Sequence, residues 1–161
     1  MVDGPEKTPL QRLVEARGLG TEGNHAYCAI VDDDEQMRRL MVRVAGRELS
    51  LTCLEGVNGE EGAEIIRNNR ERIVLVLSDV QMPKASGPDM LEGLEEGSLD
   101  KTAVVVASGG MTIGQKAQLS LLQNIGVVHE FVEKPFDGPT LIAAIQGACQ
   151  KVLDRMGSGA K

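Results

Sequence analysis

The sequence predicts an α/β fold in which a parallel sheet is covered by helices on both faces. From residue 26 onward, short apolar runs alternate with segments whose apolar residues recur every three or four positions. This alternation is typical of βαβ units, whose crossover helices cover the sheet. The runs at 73–77 and 103–107 are apolar throughout, as expected for strands at the buried centre of the sheet.

Each predicted element rests on a local pattern. The apolar runs predict five strands, at 26–31, 50–57, 73–77, 102–107 and 127–132. Five helices are predicted between and after them. The first and fifth helices are marked by apolar stripes, at Met37, Leu40, Met41 and Val44 and at Leu141, Ile145, Ala148 and Val152. The second begins at a cap, Asn58, and reaches about Asn69. The third is a weaker pattern near Pro88–Glu96, and the fourth covers about Thr112–Asn124.

The chain is expected to be one domain, residues 25–156, with an extension before it and a flexible tail at 157–161. Residues 1–24 form the extension. Within it, Thr8 and Pro9 read as the N-cap and first position of a short helix that Gly18 ends, followed by a linker. This helix is too short to be stable alone, so it must pack on something.

Composition narrows the function classes. The net charge of −7 argues against direct binding of nucleic acid. No apolar run is long enough to span a bilayer and no signal peptide is recognisable, which predicts a cytoplasmic protein with no membrane partner. Three widely spaced cysteines among apolar residues indicate reduced core thiols, and the two histidines have no neighbours at zinc-ligand spacing. These residues are Cys28, Cys53, Cys149, His25 and His129.

Acidic side chains follow two of the predicted strands. Asp32, Asp33 and Asp34 come directly after the first strand, and Asp79 ends the third. In the flavodoxin-like strand order 2-1-3-4-5, strands one and three are neighbours, so their carboxylates converge at one edge of the sheet. Carboxylates that share a small site require a cation, and Mg²⁺ suits oxygen ligands.

The fourth and fifth strands also end in polar groups, Ser108 and Lys134. Each strand-end residue has a plainer interpretation: Asp34 or a neighbour as a helix cap, Asp79 as a turn residue, Ser108 as a loop hydroxyl and Lys134 as a surface lysine. Those interpretations do not explain why four strands of five end in chemically matched groups.

Four segments, in this order and at this spacing, resemble the receiver domain of response regulators, as found in two-component phosphorelays and chemotaxis regulators. The segments are VDDDEQMRRL, LSDVQMPKASG, VVVASGG and FVEKPF, and the resemblance covers about residues 25–155. It implies a phospho-accepting domain of a two-component signalling system.

The resemblance also implies a role for individual residues. Asp79 would be the phospho-acceptor and a metal ligand, and Asp32 and Asp33 the acidic pair, with Asp33 a direct ligand of Mg²⁺. The Gln81 backbone carbonyl would complete the protein's ligands. Lys134 would be the counter-cation of the phosphoryl group, ahead of a Pro135 that forms a cis bond as in the family.

Two further residues are implied to switch. Ser108 would be the hydroxyl that bonds the phosphoryl group, and Phe131 the aromatic switch. The sequence departs from the family pattern in having Ser108 where Thr is commoner, and Ser86 where an acidic residue usually precedes the loop glycine. Neither departure removes a catalytic group.

The expected partners are a histidine kinase or a histidine phosphotransfer protein. Arg39, Arg43 and Arg47 recur along the first helix after the first strand, either as a solvated face or as a docking face for the phosphodonor. The surface of the fourth helix, fifth strand and fifth helix is expected to switch. Apolar residues on more than one face of that fourth helix predict a surface for a downstream protein or a homodimer.

Three other interpretations remain. A Mg-dependent phosphatase with an aspartate nucleophile is disfavoured, because haloacid-dehalogenase-like enzymes carry that nucleophile after the first strand. A degenerate receiver that only binds proteins is disfavoured by the intact site. A receiver domain cut from a hybrid kinase or larger regulator competes with a stand-alone receiver, which we expect. In either case the domain would not be an enzyme beyond slow self-dephosphorylation.

Overall fold

The computed structural model describes residues 4–158, which fold around one five-stranded sheet. All strands are parallel and lie in the order β2-β1-β3-β4-β5, which confirms the predicted topology. The strands are β1 (Tyr27–Val31), β2 (Thr52–Gly56), β3 (Ile73–Asp79), β4 (Ala103–Ser108) and β5 (Glu130–Glu133).

Six helices precede, connect and follow the strands in the described residues. They are α1 (Pro9–Ala16), α2 (Glu35–Val42, continued by a π-helical segment at Arg43–Glu48), α3 (Gly59–Asn69), α4 (Gly87–Glu92), α5 (Ile113–Asn124) and α6 (Gly138–Ser158). Because the N-terminal helix is α1, the fourth helix after the first strand is α5. Side-chain caps set the starts of α1 to α5, at Thr8, Asp34, Asn58, Ser86 and Thr112.

The sheet separates two hydrophobic layers. Helices α1, α2 and α6 pack on one face, and α3, α4 and α5 on the other. Every residue of β3 is buried, as predicted for a central strand. The chemically useful edge of the sheet is therefore its carboxyl end, where the strands emerge from this core into loops.

The N-terminal extension is packed into the first of these layers. Leu10 and Leu13 are buried in the same core cluster as α6. The Leu10 amide donates to Gln146 Oε1 of α6 at 2.9 Å. The extension that the sequence predicted for residues 1–24 thus packs against the main domain, apart from residues 1–3, which lie outside the described part.

Arg17, just after α1, forms hydrogen bonds at the amino end of the sheet, opposite the carboxyl end where the strands emerge into loops. Its guanidinium donates to several backbone carbonyls and one hydroxyl at the start of β3 and around β4; these acceptors are on Arg70, Glu71, Ile73, Lys101 and Thr102. Burial lowers the pKa of this guanidinium more than the nearby Glu71 charge raises it.

Some boundaries differ from those predicted. The run at 127–132 was expected to be strand throughout, but β5 starts at Glu130, because the Val127 and Val128 amides both donate to the Leu122 carbonyl and close the end of α5. The third predicted helix ends at Glu92 rather than Glu96. Helix α6 continues to Ser158, two residues into the predicted tail, whose remaining residues 159–161 lie outside the described part.

Candidate functional site

Three carboxylates meet at the carboxyl ends of β1 and β3. Asp32 and Asp33 follow β1, and Asp79 ends β3, its neighbour in the sheet. One oxygen from each lies within 4.8 Å of the others. Asp32 is fully buried and Asp79 nearly so, whereas Asp33 is exposed. The arrangement concentrates negative charge at a site that is open to solvent on the Asp33 side.

Lys134 supplies the cation that two of these carboxylates share. Its Nζ lies 3.0 Å from Asp32 Oδ2 and 3.2 Å from Asp79 Oδ1. The Lys134 amide donates to the Ser108 carbonyl at 2.8 Å, which fixes the backbone of the β5–α6 loop beside the end of β4. The Lys134–Pro135 bond is cis. One ammonium therefore faces two buried carboxylates and neutralises half of their formal charge.

The pKa values of the group reflect this imbalance. Burial and the nearby Asp32 charge raise the pKa of Asp79 to about 6, against the opposing effect of Lys134. Burial alone would lower the pKa of Lys134, but hydrogen bonds and attraction to Asp32 and Asp79 outweigh it, and the pKa is raised. A divalent cation with oxygen ligands fits a site whose protein cation leaves negative charge uncompensated.

The β1–α2 loop holds the acidic pair in place. The Asp34 carboxylate caps α2 by accepting from the Gln36 and Met37 amides, so this one of the three consecutive aspartates has the plainer role. The Asp34 amide in turn donates to Asp32 Oδ1 at 2.9 Å. The Arg38 guanidinium donates to the Asp32 carbonyl at 2.8 Å, an anchor that the sequence interpretation missed.

Gly87 allows the loop after β3 to return against the strand. A Cβ added there would overlap the Asp79 carbonyl and approach Ser78 Oγ at 3.0 Å. The Gly87 amide donates to the Val80 carbonyl at 3.0 Å. Any side chain at this position would displace the backbone that carries Asp79, which explains why glycine stands here.

The two residues expected to switch, Ser108 and Phe131, lie on β4 and β5, and the Ser108 hydroxyl forms no hydrogen bond to the carboxylates. The Ser108 hydroxyl donates to the Gly110 carbonyl at 2.9 Å and accepts from the Gly110 amide at 3.0 Å. Phe131 lies on the edge strand β5 and is 37% exposed. In this structure the hydroxyl is thus committed to its own loop, and the aromatic ring is partly in solvent.

A pair of amide side chains links the loop between β3 and α4 to α5. The Gln115 amide nitrogen donates to Gln81 Oε1 at 3.2 Å, and Gln81 donates back to Gln115 Oε1. Gln115 also forms the capping box of α5 with Thr112. Nothing in the sequence signals this contact, because the two glutamines are 34 positions apart and carry no motif.

Sequence comparison decides the family of the chain. The profile of the response regulator receiver domain family matches residues 28–146. The chain belongs to this family. Receiver domains act in two-component signalling, generally as phospho-acceptor switches that bind Mg²⁺ through acidic residues.

Known relatives of this receiver domain are longer proteins. The autoinducer 1 sensor kinase/phosphatase LuxN of Vibrio campbellii is 31% identical over 123 residues, which are 76% of this chain but only 13% of LuxN. The chain spans between 7% and 50% of the length of the curated relatives compared with it.

Solved structures agree with the fold. The receiver domain of the hybrid histidine kinase CckA is 28% identical, with a TM-score of 0.59 over 79% of this chain and 99% of that one. The signal receiver domain of an HD domain-containing protein from Pseudomonas fluorescens is 17% identical. It superimposes with a TM-score of 0.68 over 87% of this chain and 98% of that chain.

Among residues 4–158 of this receiver domain, no helix combines the length and the apolar character needed to cross a membrane.

Proposed function

We propose that this receiver domain accepts a phosphoryl group on Asp79 from a phosphohistidine of a partner protein. The observation that carries the proposal is the environment of the Asp79 carboxylate. It lies at the carboxyl edge of the sheet, within 4.8 Å of two further carboxylates and 3.2 Å from the Lys134 ammonium. No other group of three or more His, Cys, Asp or Glu side chains in the described residues has a comparable metal-binding geometry.

Mg²⁺ fits this site on the chemistry of its donors. Asp32, Asp33 and Asp79 would hold the ion, together with the Gln81 backbone carbonyl, an all-oxygen set. When bound, the ion supplies positive charge for the oxygens of the transferred phosphoryl group. The exposure of Asp33 leaves this side of the cluster accessible to an ion and to a phosphodonor.

The transfer itself requires little from the protein beyond position and charge. An Asp79 carboxylate oxygen forms the new bond to phosphorus while the bond from phosphorus to the histidine nitrogen of the donor breaks, in line with the attack. The electron pair remains on the departing imidazole. Lys134 is held by its backbone bond to Ser108, so its ammonium can neutralise the charge that develops on the phosphoryl oxygens.

Switching follows from the groups that the phosphoryl oxygens would attract. The Ser108 hydroxyl would exchange its bonds with Gly110 for a bond to the phosphoryl group. Phe131, now 37% exposed, would move into the space that Ser108 leaves. The β4–α5 loop and α5 would follow, and with them the surface formed by α5, β5 and α6.

The phosphodonor is a histidine kinase or a histidine phosphotransfer protein. Arg39 and Arg43 are exposed on α2 and its π-helical continuation, as is Arg47. Helix α2 starts beside the acidic site, at its Asp34 cap, and these arginines follow one another along the helix away from that cap, where they would meet acidic residues of the donor. A receiver domain that serves within a hybrid histidine kinase is the second candidate, favoured by the likeness to LuxN.

The test is phosphorylation of wild type and of Asp79→Asn by acetyl phosphate and by a phosphohistidine donor. Intact mass spectrometry should detect one added phosphoryl group on wild type and none on the variant, because an amide is a poor nucleophile. Asp154→Asn, which changes an exposed aspartate on α6, is the matched control and should be phosphorylated normally. Full labelling of Asp79→Asn would move the acceptor to another residue.

A further inference from the structure

Helix α5 exposes more apolar surface than its packing on the sheet explains. Leu119 and Leu122 are buried against the second core layer. Leu121 and Ile125, at the end of the same helix, are each 62% exposed, and Ile113 at its start is 88% exposed. Exposed leucine and isoleucine are costly in water, and side chains grouped in this way mark a contact surface when they border a concave site.

Leu121 and Ile125 border such a site. Together with Leu91, Leu94 and Leu99 they line a groove of about 480 Å³. The groove runs between α4, the irregular segment 93–100 and the second half of α5. Ile113 is not part of its lining, so exposure on the same helix occurs both inside and outside the groove.

Side-chain hydrogen bonds fix the direction in which the groove faces. Gln118 Nε2 donates to Asp89 Oδ1 and to Glu92 Oε2 of α4, both at 2.9 Å. Leu121 follows Gln118 by three positions and Ile125 by seven, so all three share one side of the helix. The exposed apolar residues therefore face α4, on the other side of α5 from β5.

The rim of the groove is acidic. Four carboxylates and one guanidinium line it, those of Glu92, Glu95, Glu96, Asp100 and Arg155. Two of the carboxylates already have a cation nearby, Asp100 at 4.0 Å from Arg155 and Glu95 at 3.4 Å from Arg70. Both ion pairs are exposed and therefore weak. The rim retains a negative excess around an apolar floor.

We propose that this groove binds a basic amphipathic helix of a partner protein. Two or three apolar side chains on one face of that helix would contact Leu121, Ile125 and the leucines of the floor, and its lysines or arginines would lie along the acidic rim. The same rim repels anionic lipid and nucleic acid, which removes a membrane or a polynucleotide as the occupant. Binding here requires no change at Asp79 and is independent of the proposed phosphorylation.

The test uses three synthetic helical peptides, titrated into the isotope-labelled 161-residue chain and followed by NMR. One has leucines on one face and lysines elsewhere, the second has glutamates in place of the lysines, and the third has serines in place of the leucines. The leucine–lysine peptide should bind at least tenfold more tightly than either of the others. Its shifts should concentrate in residues 91–100 and 121–127.

Matched variants distinguish binding in the groove from non-specific hydrophobic binding to α5. Leu121→Ser combined with Ile125→Ser should weaken binding of the leucine–lysine peptide at least tenfold. Ile113→Ser removes an equally exposed side chain of the same helix outside the groove and should leave the affinity within twofold. All three substitutions are at exposed positions, and the amide spectra of the free variants report whether the fold is kept.

Charge variants provide the second arm. Glu95→Gln with Glu96→Gln should weaken the leucine–lysine peptide, whereas Glu60→Gln with Glu64→Gln, exposed on α3 and outside the groove, should not. The proposal would be overturned if the three peptides bound with equal affinity or did not bind at all. It would also be overturned if Ile113→Ser weakened binding as much as the Leu121 and Ile125 variant, or if the shifts centred on Asp32, Asp33 and Asp79.

Discussion

Replacing Asp79 by Asn should stabilise the folded protein in the absence of Mg²⁺. The structure places Asp79 beside Asp32 with only Lys134 between them, and the pKa of Asp79 is raised to about 6 from an ordinary value of 3.8. A raised pKa means that the folded state favours the protonated carboxyl, so ionising it costs stability. This difference corresponds to about 3 kcal/mol.

The pH dependence gives this prediction a sign that can be checked. The penalty is fully present above about pH 6 and disappears as the pH falls towards 3.8, where Asp79 becomes protonated in the unfolded chain as well. The stability advantage of Asp79→Asn should therefore approach about 3 kcal/mol near neutral pH and shrink to about 0.6 kcal/mol at about pH 4.

A second buried group titrates in the same range with the opposite sign. Burial and the charges of Lys151 and Arg155 lower the pKa of His129 to about 4, and its Nδ1 accepts from the Val104 amide. Neutral His129 contributes stability that is present above pH 6.5 and is lost as the pH falls towards 4. The two effects offset each other in wild type, so the difference between variant and wild type is the informative quantity.

Urea unfolding followed by circular dichroism suits this chain, which has no tryptophan. Wild type and Asp79→Asn would be compared at several pH values from about 4 to about 7.5 without divalent ions. Glu64→Gln, an exposed change of the same charge on α3, should alter stability by less than about 0.5 kcal/mol. A variant no more stable than wild type at neutral pH, or an advantage that does not change with pH, would refute the reasoning.

Three further predictions concern other parts of the molecule. Arg17→Ala should lower the unfolding free energy by about 2–4 kcal/mol, because partly buried carbonyls lose a charged donor. Urea unfolding measures this loss, and a value below about 0.5 kcal/mol would show that these hydrogen bonds contribute little to stability. Deleting residues 1–22 should lower the unfolding free energy by at least about 3 kcal/mol, since the burial of Leu10 and Leu13 is lost, but should leave phosphorylation intact. Unchanged unfolding free energy in the same assay would show that the segment does not stabilise the domain. Lys134→Ala should still accept the phosphoryl group, though more slowly, but β4, α5 and β5 should not rearrange when beryllofluoride, a phosphoryl mimic, is added. Wild-type-like NMR shifts in these elements would show that groups other than Lys134 couple the phosphoryl site to the rearrangement.

Much of the fold could be predicted because its signals are local. The cap at Asn58 and the end of α3 at Asn69 were placed correctly from single residues. The stripe in α6, which includes Leu141 and Ile145, is buried as its spacing indicates. The convergence of Asp32, Asp33 and Asp79 also followed from strand order, since parallel strands bring their carboxyl ends to one edge.

What the sequence could not predict depends on contacts between distant segments. The Gln81–Gln115 pair joins the loop after β3 to the first turn of α5, two segments that only the folded sheet brings together. The bonds between Ser108 and Gly110 depend on the path of one loop, which no periodicity records. Asp34 was left open between a helix cap and a site residue, and only the geometry of its bonds to Gln36 and Met37 distinguishes the two.

The packing of α1 has a consequence for the order of folding. Leu10 bonds to Gln146, 136 positions later in the chain, and Arg12 to Gln150, 138 positions later. At eight residues, α1 is shorter than the roughly 12–15 that an isolated helix needs to persist in water. It can form only against a surface that α6 completes, so it joins the fold after the sheet and α6 have assembled.

Contacts that are absent from the folding transition state change the unfolding rate and leave the folding rate nearly untouched. Truncations of Leu10 or Leu13 should then appear in the unfolding limb of a stopped-flow experiment, with refolding close to that of wild type. Although it precedes the sheet in the chain, α1 lengthens the lifetime of the folded domain and does not shorten the time the chain needs to fold.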